Sequence, residues 1–151
     1  MQHRISAGAL VEHEGRILVV WHVRAHKYDF WVAPGGGVQG TEALAIAAAR
    51  EVREESGLEV EPGNLLYIEE LTQPGLRHCK FWFGARLLGG KLSTGSPEAR
   101  AEYIAEAAWL PPSELKDRTV FPSVLNGQYW KDKPRHGQGP IHLGLRQMQF
   151  W

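Results

Sequence analysis

Cysteine is nearly absent from these 151 residues: Cys79 stands alone, so no internal disulfide can form, which suits a reducing cytoplasm. No stretch approaches 18 uninterrupted apolar residues, which excludes a membrane-spanning helix. Residues 1–25 lack the basic segment and apolar run of a signal peptide. Neither sign of charge is in excess. Lys+Arg and Asp+Glu both number 17, so no global basic field argues for nucleic acid as a partner. The histidines, His3, His13, His22, His26, His78, His136 and His142, show no zinc-type spacing beside a cysteine or one another. Internal repeats are missing too. A cytoplasmic protein without a membrane partner is the expectation.

What is present is ordinary for a globular chain: 43% hydrophobic and 23% charged residues. The length predicts one domain over 1–151, burying roughly two-thirds of its unfolded surface. Ile5–Val11 and Arg16–Trp21 read as a hairpin about a turn at residues 12–15. His22–Phe30 reads as a polar loop, Trp31–Ala33 as a short strand stopped by Pro34, and Gly35–Gly37 as a glycine loop. Ala43–Ala49 begins a helix, with Thr41 at the N-cap position, Glu42 at the positive end of the dipole and Gly57 as the stop.

Beyond it, Glu59–Gly63 reads as a polar turn, Asn64–Thr72 as a strand, and Gln73-Pro74-Gly75 as a turn. His78–Leu88 alternates as a half-buried strand, with Cys79, Phe81 and Phe83 on one face and His78, Lys80 and Trp82 on the other. Leu92–Arg100 is loop-like, and Ala105–Leu110 is the last core strand. Ser113 caps a short helix, and Pro122–Trp130 is a second one weakened by Gly127. Strands on either side of a central helix predict an α/β layered domain with a mixed sheet covered on both faces. The tail, 131–151, leaves three arrangements open: packing back, pairing across a homodimer, or mobility.

The acids at the end of the helix carry the chemistry. Glu51, Glu54 and Glu55 at i, i+3, i+4 share one helical face. As a solvated face this is poor design: Glu51 and Glu55 are a like-charge i, i+4 pair near the negative end of the dipole, costing about 0.3–1 kcal/mol each. Leu44 shares the bearing of Glu51, so the first half of the helix buries a face that the second half gives to the acids. Such an arrangement invites a hard divalent cation, Mg²⁺ being held by carboxylates, water and phosphate.

The stretch Gly36–Leu58 resembles the signature of the Nudix hydrolases (the MutT-like family): a Gly, five residues, a Glu, seven residues, then Arg-Glu-aliphatic-x-Glu-Glu-x-Gly-aliphatic. Gly36, Glu42, Arg50, Glu51, Val52, Glu54, Glu55, Gly57 and Leu58 fill every fixed position. Nine accidental matches come out on the order of one in ten million, so composition does not explain them. The resemblance implies an α/β/α sandwich and hydrolysis of the diphosphate bond in a nucleoside diphosphate linked to another moiety. It implies Mg²⁺ (Mn²⁺ being an alternative) on Glu51, Glu54 and Glu55, with a carbonyl from the glycine loop at Gly36. Arg50 is read as orienting the glutamates rather than touching substrate. Glu42 holds that arrangement or serves structurally at the helix start.

The general base is either a signature glutamate, Glu54, or an acid before the last core strand, where Glu98, Glu102 and Glu106 stand and Glu102 is best placed. Arg24, His26 and Tyr28 form a candidate patch for substrate phosphate or base, by position only. Trp31, Trp82 and Tyr28 are stacking surfaces for a base or, the favoured reading, core. Cys79 is read as a small core residue, not a nucleophile. Pro74, sixteen residues beyond Leu58, resembles the proline of an ADP-ribose-hydrolysing subgroup, which tilts the substrate toward ADP-ribose or a nucleotide sugar. The alternatives are a house-cleaning nucleoside triphosphate pyrophosphohydrolase and a nucleotide sensor without hydrolysis.

Overall fold

A computed structural model of the chain describes residues 1–148. Its elements run β1 (Gln2–His13), β2 (Arg16–Arg24), β3 (Tyr28–Val32), β4 (Gly35–Gly37), α1 (Leu44–Ser56), β5 (Leu58–Gln73) and β6 (Leu76–Gly90). There follow α2 (Pro97–Ala101), β7 (Ile104–Leu110), α3 (Pro112–Leu115), β8 (Val120–Phe121), a 3₁₀ turn at Ser123–Asn126, α4 (Gln128–Asp132), a second 3₁₀ stretch at Lys133–Gln138, and β9 (Ile141–Gln147). The strands order as β8-β3-β2-β1-β6-β5-β9, with β4 also paired to β1 and β7 to β2. The pairs β1/β6, β3/β8 and β5/β9 are parallel and the rest antiparallel, so the sheet is mixed, as predicted.

Strand alternation sends neighbouring residues to opposite faces and builds two cores. Ala7, Ala9 and Val11 of β1 face α1, where the small Ala47 and Ala48 let the helix approach closely and Leu44 packs at the margin. Leu10 of the same strand joins Trp82, Tyr67, Leu115, Leu125 and Tyr129 on the other side, beneath α3, the 3₁₀ turn and α4. Helical segments thus cover both faces, the α/β layering expected from the element order. None of the helices among the described residues is long and apolar enough to cross a membrane.

Several local expectations are corrected. His22–Phe30 is not a loop: β2 and β3 run on as a hairpin, with His22 opposite Phe30 and Arg24 opposite Tyr28. Gly35–Gly37 is a strand paired with Ser6–Gly8. Glu59–Gly63 belongs to β5, and Pro62 is absorbed by a register shift before Leu65. The segment 92–100 ends in α2, whose N-cap Ser96 accepts the Ala99 N–H at 2.9 Å. The α1 N-cap is Ala43, without a side-chain cap bond, instead of Thr41. Gly57 does end α1, at φ 78°. Ser113 lies inside α3, which is capped by Pro111, and 122–130 splits at Gly127 into the 3₁₀ turn and the start of α4. β8 and β9 join the sheet after Ala105–Leu110, so that strand is not the last.

The tail packs back as far as it is described; residues 149–151 lie outside the described residues. β9 pairs in parallel with β5. The Tyr67 hydroxyl donates to Asp132 Oδ2 at 2.8 Å, the Tyr129 hydroxyl donates to Glu12 Oε1 at 3.0 Å, and Lys133 Nζ reaches Glu12 Oε2 at 2.7 Å. These bonds, the first of them buried, tie α4 and the start of the second 3₁₀ stretch to β1 and β5.

β6 is half-buried along most of its length, as its alternation predicts, with His78 and Trp82 as its two buried residues. Trp82 is fully buried and donates from Nε1 to Glu69 Oε1 at 2.8 Å. His78 is also buried, and neither ring nitrogen has a hydrogen-bond partner among the described residues. Burial, reinforced by the charges of Arg4 and Lys80, lowers its pKa to about 4. In the unfolded chain the imidazole titrates near 6.5, so the unfolded state takes up the proton first. The stability tied to neutral His78 is complete above about pH 6.5 and is lost as pH falls toward 4. Urea midpoints of the parent should therefore drop between pH 7 and pH 5 more steeply than those of His78→Leu; parallel slopes would refute this.

Candidate functional site

The last turns of α1 carry the acids to β4. Glu51 and Glu55 are buried at 6% and 2% exposure, and Glu54 is half-buried. Arg50 spans the group: its Nη2 donates to Glu42 Oε1 at 2.6 Å and to the Gly37 carbonyl at 3.1 Å, and its Nη1 donates to Glu51 Oε1 at 2.9 Å and Glu54 Oε2 at 3.1 Å. The planar fork suits this task, since its donors leave in fixed directions and share one charge among several carboxylates. Glu42 lies just before the helix, where it also accepts the Gln39 N–H at 2.8 Å. It touches Arg50, not the cluster of acids.

The position of Gly36 is dictated by close approach. A Cβ there would stand 2.6 Å from Glu51 Oε1 and 2.8 Å from Oε2, so the carboxylate rests directly on the β4 backbone. Next to it the Gly35 N–H donates to Glu55 Oε1 at 2.8 Å, while Glu55 Oε2 is buried with no hydrogen-bond partner among the described residues. Burial pushes the Glu55 pKa well above the usual carboxylate range, and the charges of Glu51 and Glu102 add to it. Burial likewise raises Glu51, partly offset by Arg50. A buried carboxylate oxygen without a donor is costly, and a cation is the natural complement. The donor set, several carboxylates beside exposed peptide groups, fits a divalent ion, which Glu51, Glu54, Glu55 and the Gly36 carbonyl could hold.

Of the acids before β7, Glu102 comes to this cluster. It follows α2, which is tied to α1 by the Ser96 hydroxyl donating to the Glu54 carbonyl. Its carboxylate, Glu55 and His22 place one ligand atom each within 4.8 Å of one another. Glu106 instead stands opposite Trp21 in the β2/β7 ladder, and Glu98 is exposed in α2. Burial, with the charge of Lys80 adding to it, brings the His22 pKa down to about 4, so the ring is neutral near pH 7.

The patch Arg24, His26 and Tyr28 lies at the tip of the β2–β3 hairpin. Arg24 covers the Tyr103 ring at 4.6 Å, Tyr28 packs on Phe30, and His26 is exposed in the turn at φ 63°. None of the three lines the cavity beside the acids. That cavity, about 180 Å³, starts at Gly35, Gly36, His22 and Glu102 and continues to Arg4, Lys80, His78, Glu69, Arg146, Phe30, Phe121 and Met148. Trp82 lies in the core, as favoured from sequence, with Lys80 Nζ 4.5 Å from its ring centroid. Trp31 is only half-buried and stacks on Trp21, with centroids 6.0 Å apart.

Sequence reasoning missed Arg4, His78, Lys80 and Arg146. The one available sign was the alternation of β6, which puts His78 and Lys80 on the same face as the large apolar Trp82. Strand register does the rest: Ser6, Lys80 and Glu69 align across β1, β6 and β5, and Arg4, His78, Leu71 and Arg146 align from β1 to β9.

Comparison with known proteins agrees with this geometry. A sequence model of the NUDIX domain matches residues 2–126. The human protein named 8-oxo-dGDP phosphatase NUDT18 is 32% identical over 136 residues, which cover 87% of this chain and 41% of that protein. This chain therefore spans about two-fifths of the length of that relative. A MutT-like protein of Streptomyces ambofaciens is 31% identical over 117 residues, covering 77% of this chain and 69% of that one. Among solved structures, a NUDIX hydrolase from Nitrosomonas europaea superposes with a TM-score of 0.77 at 24% identity, covering 98% of this chain and 81% of that one, and so shares the fold. The domain match covers β1 through the 3₁₀ turn, and so includes β4, α1 and its acids: the chain belongs to the NUDIX domain family.

Proposed function

We propose that the chain hydrolyses the diphosphate bond of an oxidised purine nucleoside di- or triphosphate in the presence of Mg²⁺, with the base in the cavity and the phosphates on the acids of α1. The observation that carries this reading is the orphaned Glu55 Oε2, buried beside Glu51 and Glu102 at one end of the cavity. A bound Mg²⁺ or Mn²⁺ would neutralise phosphate charge and supply hydroxide near neutral pH. Arg50 keeps Glu51 and Glu54 in place. Glu54, with Oε2 on Arg50 and no hydrogen bond to Oε1 among the described residues, takes the proton of the attacking water. Glu102 lies beside Glu55 in the same cluster. Lys80 and Arg4 offer donors to the phosphates, with no ion pair to a carboxylate among the described residues.

The cavity favours a single ring. At about 180 Å³ it is smaller than the roughly 300–1,000 Å³ that bury a drug-sized ligand, so it suits one base and not two linked moieties. The names of two relatives, an 8-oxo-dGDP phosphatase and an 8-oxo-(d)GTP phosphatase, support the same class. Pro74 supports ADP-ribose less well, because it lies in the exposed β5–β6 turn and does not line this cavity. The half-buried, unpaired Cys79 fits a cytoplasmic setting.

The test is a panel of 8-oxo-dGDP, 8-oxo-dGTP, GDP, ADP-ribose and UDP-glucose with Mg²⁺, products being identified by mass. The oxidised purine nucleotides should exceed ADP-ribose and UDP-glucose at least tenfold in kcat/KM. The reverse order would return the substrate to the nucleotide-sugar class, and tight binding without Mg²⁺-dependent product would make the chain a sensor. In the same assay Arg146→Ala should raise KM about tenfold with kcat unchanged, the pattern of lost ground-state binding.

A further inference from the structure

Among the described residues, His22, Glu55 and Glu102 are the group of three ligating side chains that converges closely enough to share one ion, their ligand atoms lying within 4.8 Å of one another. Two of them are acids of the site already described. The third is an imidazole from another strand, and its placement is built. The β2/β7 ladder pairs Trp21 with Glu106 and then His22 with Ile104, so a register shift falls at His22 and leaves Ala105 unpaired. Such a shift re-aims a side chain, a common device beside active sites. The ring is then held flat on Phe30, with centroids 5.3 Å apart and planes within 3°. It also faces the Glu102 backbone carbonyl, the kind of partner that fixes which ring nitrogen is free to ligate. Opposite it, the unbonded Glu55 Oε2 is 2% exposed at the residue level and has no donor.

Carboxylates alone suit Mg²⁺, whereas imidazole brings in the softer first-row dications, whose affinity for nitrogen ligands rises along the series. We propose that His22, Glu55 and Glu102 form a mixed nitrogen–oxygen site that binds a transition-metal dication such as Mn²⁺ or Co²⁺ in preference to Mg²⁺. This rests on the reading that the acids of α1 take a divalent cation, and adds a ligand that lies outside the signature 36–58 and sets which cation is held. Glu55 is shared between the signature acids and this second set, which places the ion at the inner end of the cavity.

The test is cation binding by the full chain, free of nucleotide. In the parent, bound Mn²⁺ should show ¹⁴N coupling from an imidazole in pulsed electron paramagnetic resonance. His22→Phe keeps the ring stack on Phe30 and removes the ligand; it should abolish the ¹⁴N coupling and weaken Mn²⁺ and Co²⁺ binding tenfold or more by calorimetry, with Mg²⁺ affinity changed less than twofold. Glu102→Gln should weaken Mn²⁺ binding and retain the ¹⁴N coupling. Circular dichroism checks that both variants fold, and the parent spectrum decides the matter if His22→Phe does not. Mn²⁺ bound without ¹⁴N coupling, alongside Mg²⁺-dependent hydrolysis, overturns this inference alone. Failure of any divalent ion to bind overturns it together with the reading of the acids.

Discussion

Glu55→Gln is expected to lower Mg²⁺-dependent turnover by about a thousandfold, equivalent to about 4 kcal/mol of transition-state stabilisation, and to melt no lower than the parent. The two halves of this expectation have one origin. Glu55 is wholly enclosed, with one oxygen on the Gly35 N–H and the other without a donor. Folding therefore bears the cost of a desolvated carboxylate that the Gly35 N–H repays only in part. Glutamine has the same shape, still accepts the Gly35 N–H, and carries no charge to desolvate, so the metal-free variant loses nothing. What it loses is the anionic oxygen that meets the cation. Activity assays with Mg²⁺ and thermal melts in a chelator separate the two effects. A variant that retained full turnover would remove Glu55 from the site, and one that melted several degrees lower would show that Oε2 has a structural partner.

Arg50→Lys reverses the pattern, since it should damage stability first and activity through it. The guanidinium bonds Glu42, Glu51, Glu54 and the Gly37 carbonyl together, and only 13% of its side chain is exposed. An ammonium keeps the charge but has neither the reach nor the fork to hold carboxylates on both sides. Leaving half-buried acids of like sign unmatched costs about 3–5 kcal/mol. For a domain of this size a loss of about 3 kcal/mol lowers the melting temperature by roughly 6–12 °C. Turnover should fall at least tenfold below the parent at temperatures where the variant is still folded, because Glu51 and Glu54 are no longer held. An unchanged melting temperature would mean that Arg50 does not organise the acids.

The acids of α1 were legible in the sequence because their spacing is a local property: once residues 44–56 are helical, Glu51, Glu54 and Glu55 must share a face. Gly36 and Gly57 were legible for a similar reason, one yielding space to Glu51 and the other turning the chain at φ 78°. The layering also followed from element order. The cavity was not legible. Arg4, His78, Lys80 and Arg146 come from three strands, and nothing local says that β1 lies beside β6 or that β9 returns to β5. The polar residues of 22–28 suggested a loop, yet Arg24 and Tyr28 stay in the hairpin by covering Tyr103 and Phe30. Thr41 had the chemistry of a cap, but α1 begins only at Leu44, and it is Glu42 that accepts a backbone N–H, from Gln39.

The parallel pairing of β1 with β6 reaches beyond the resting fold. It joins Gln2 with Leu76 through to Val11 with Ala85, and sets the first strand of the chain in the middle of the sheet. During synthesis, therefore, one edge of β1 stays unpaired until β6 has been made, so joining the two halves of the sheet is a non-local event and its rate is governed by topology rather than by helix formation. A shortened product ending before residue 76 would hold every acid of α1 and lack the strand that joins β1 to β5. An insertion within the first eleven residues would disturb the centre of the domain, not its fringe.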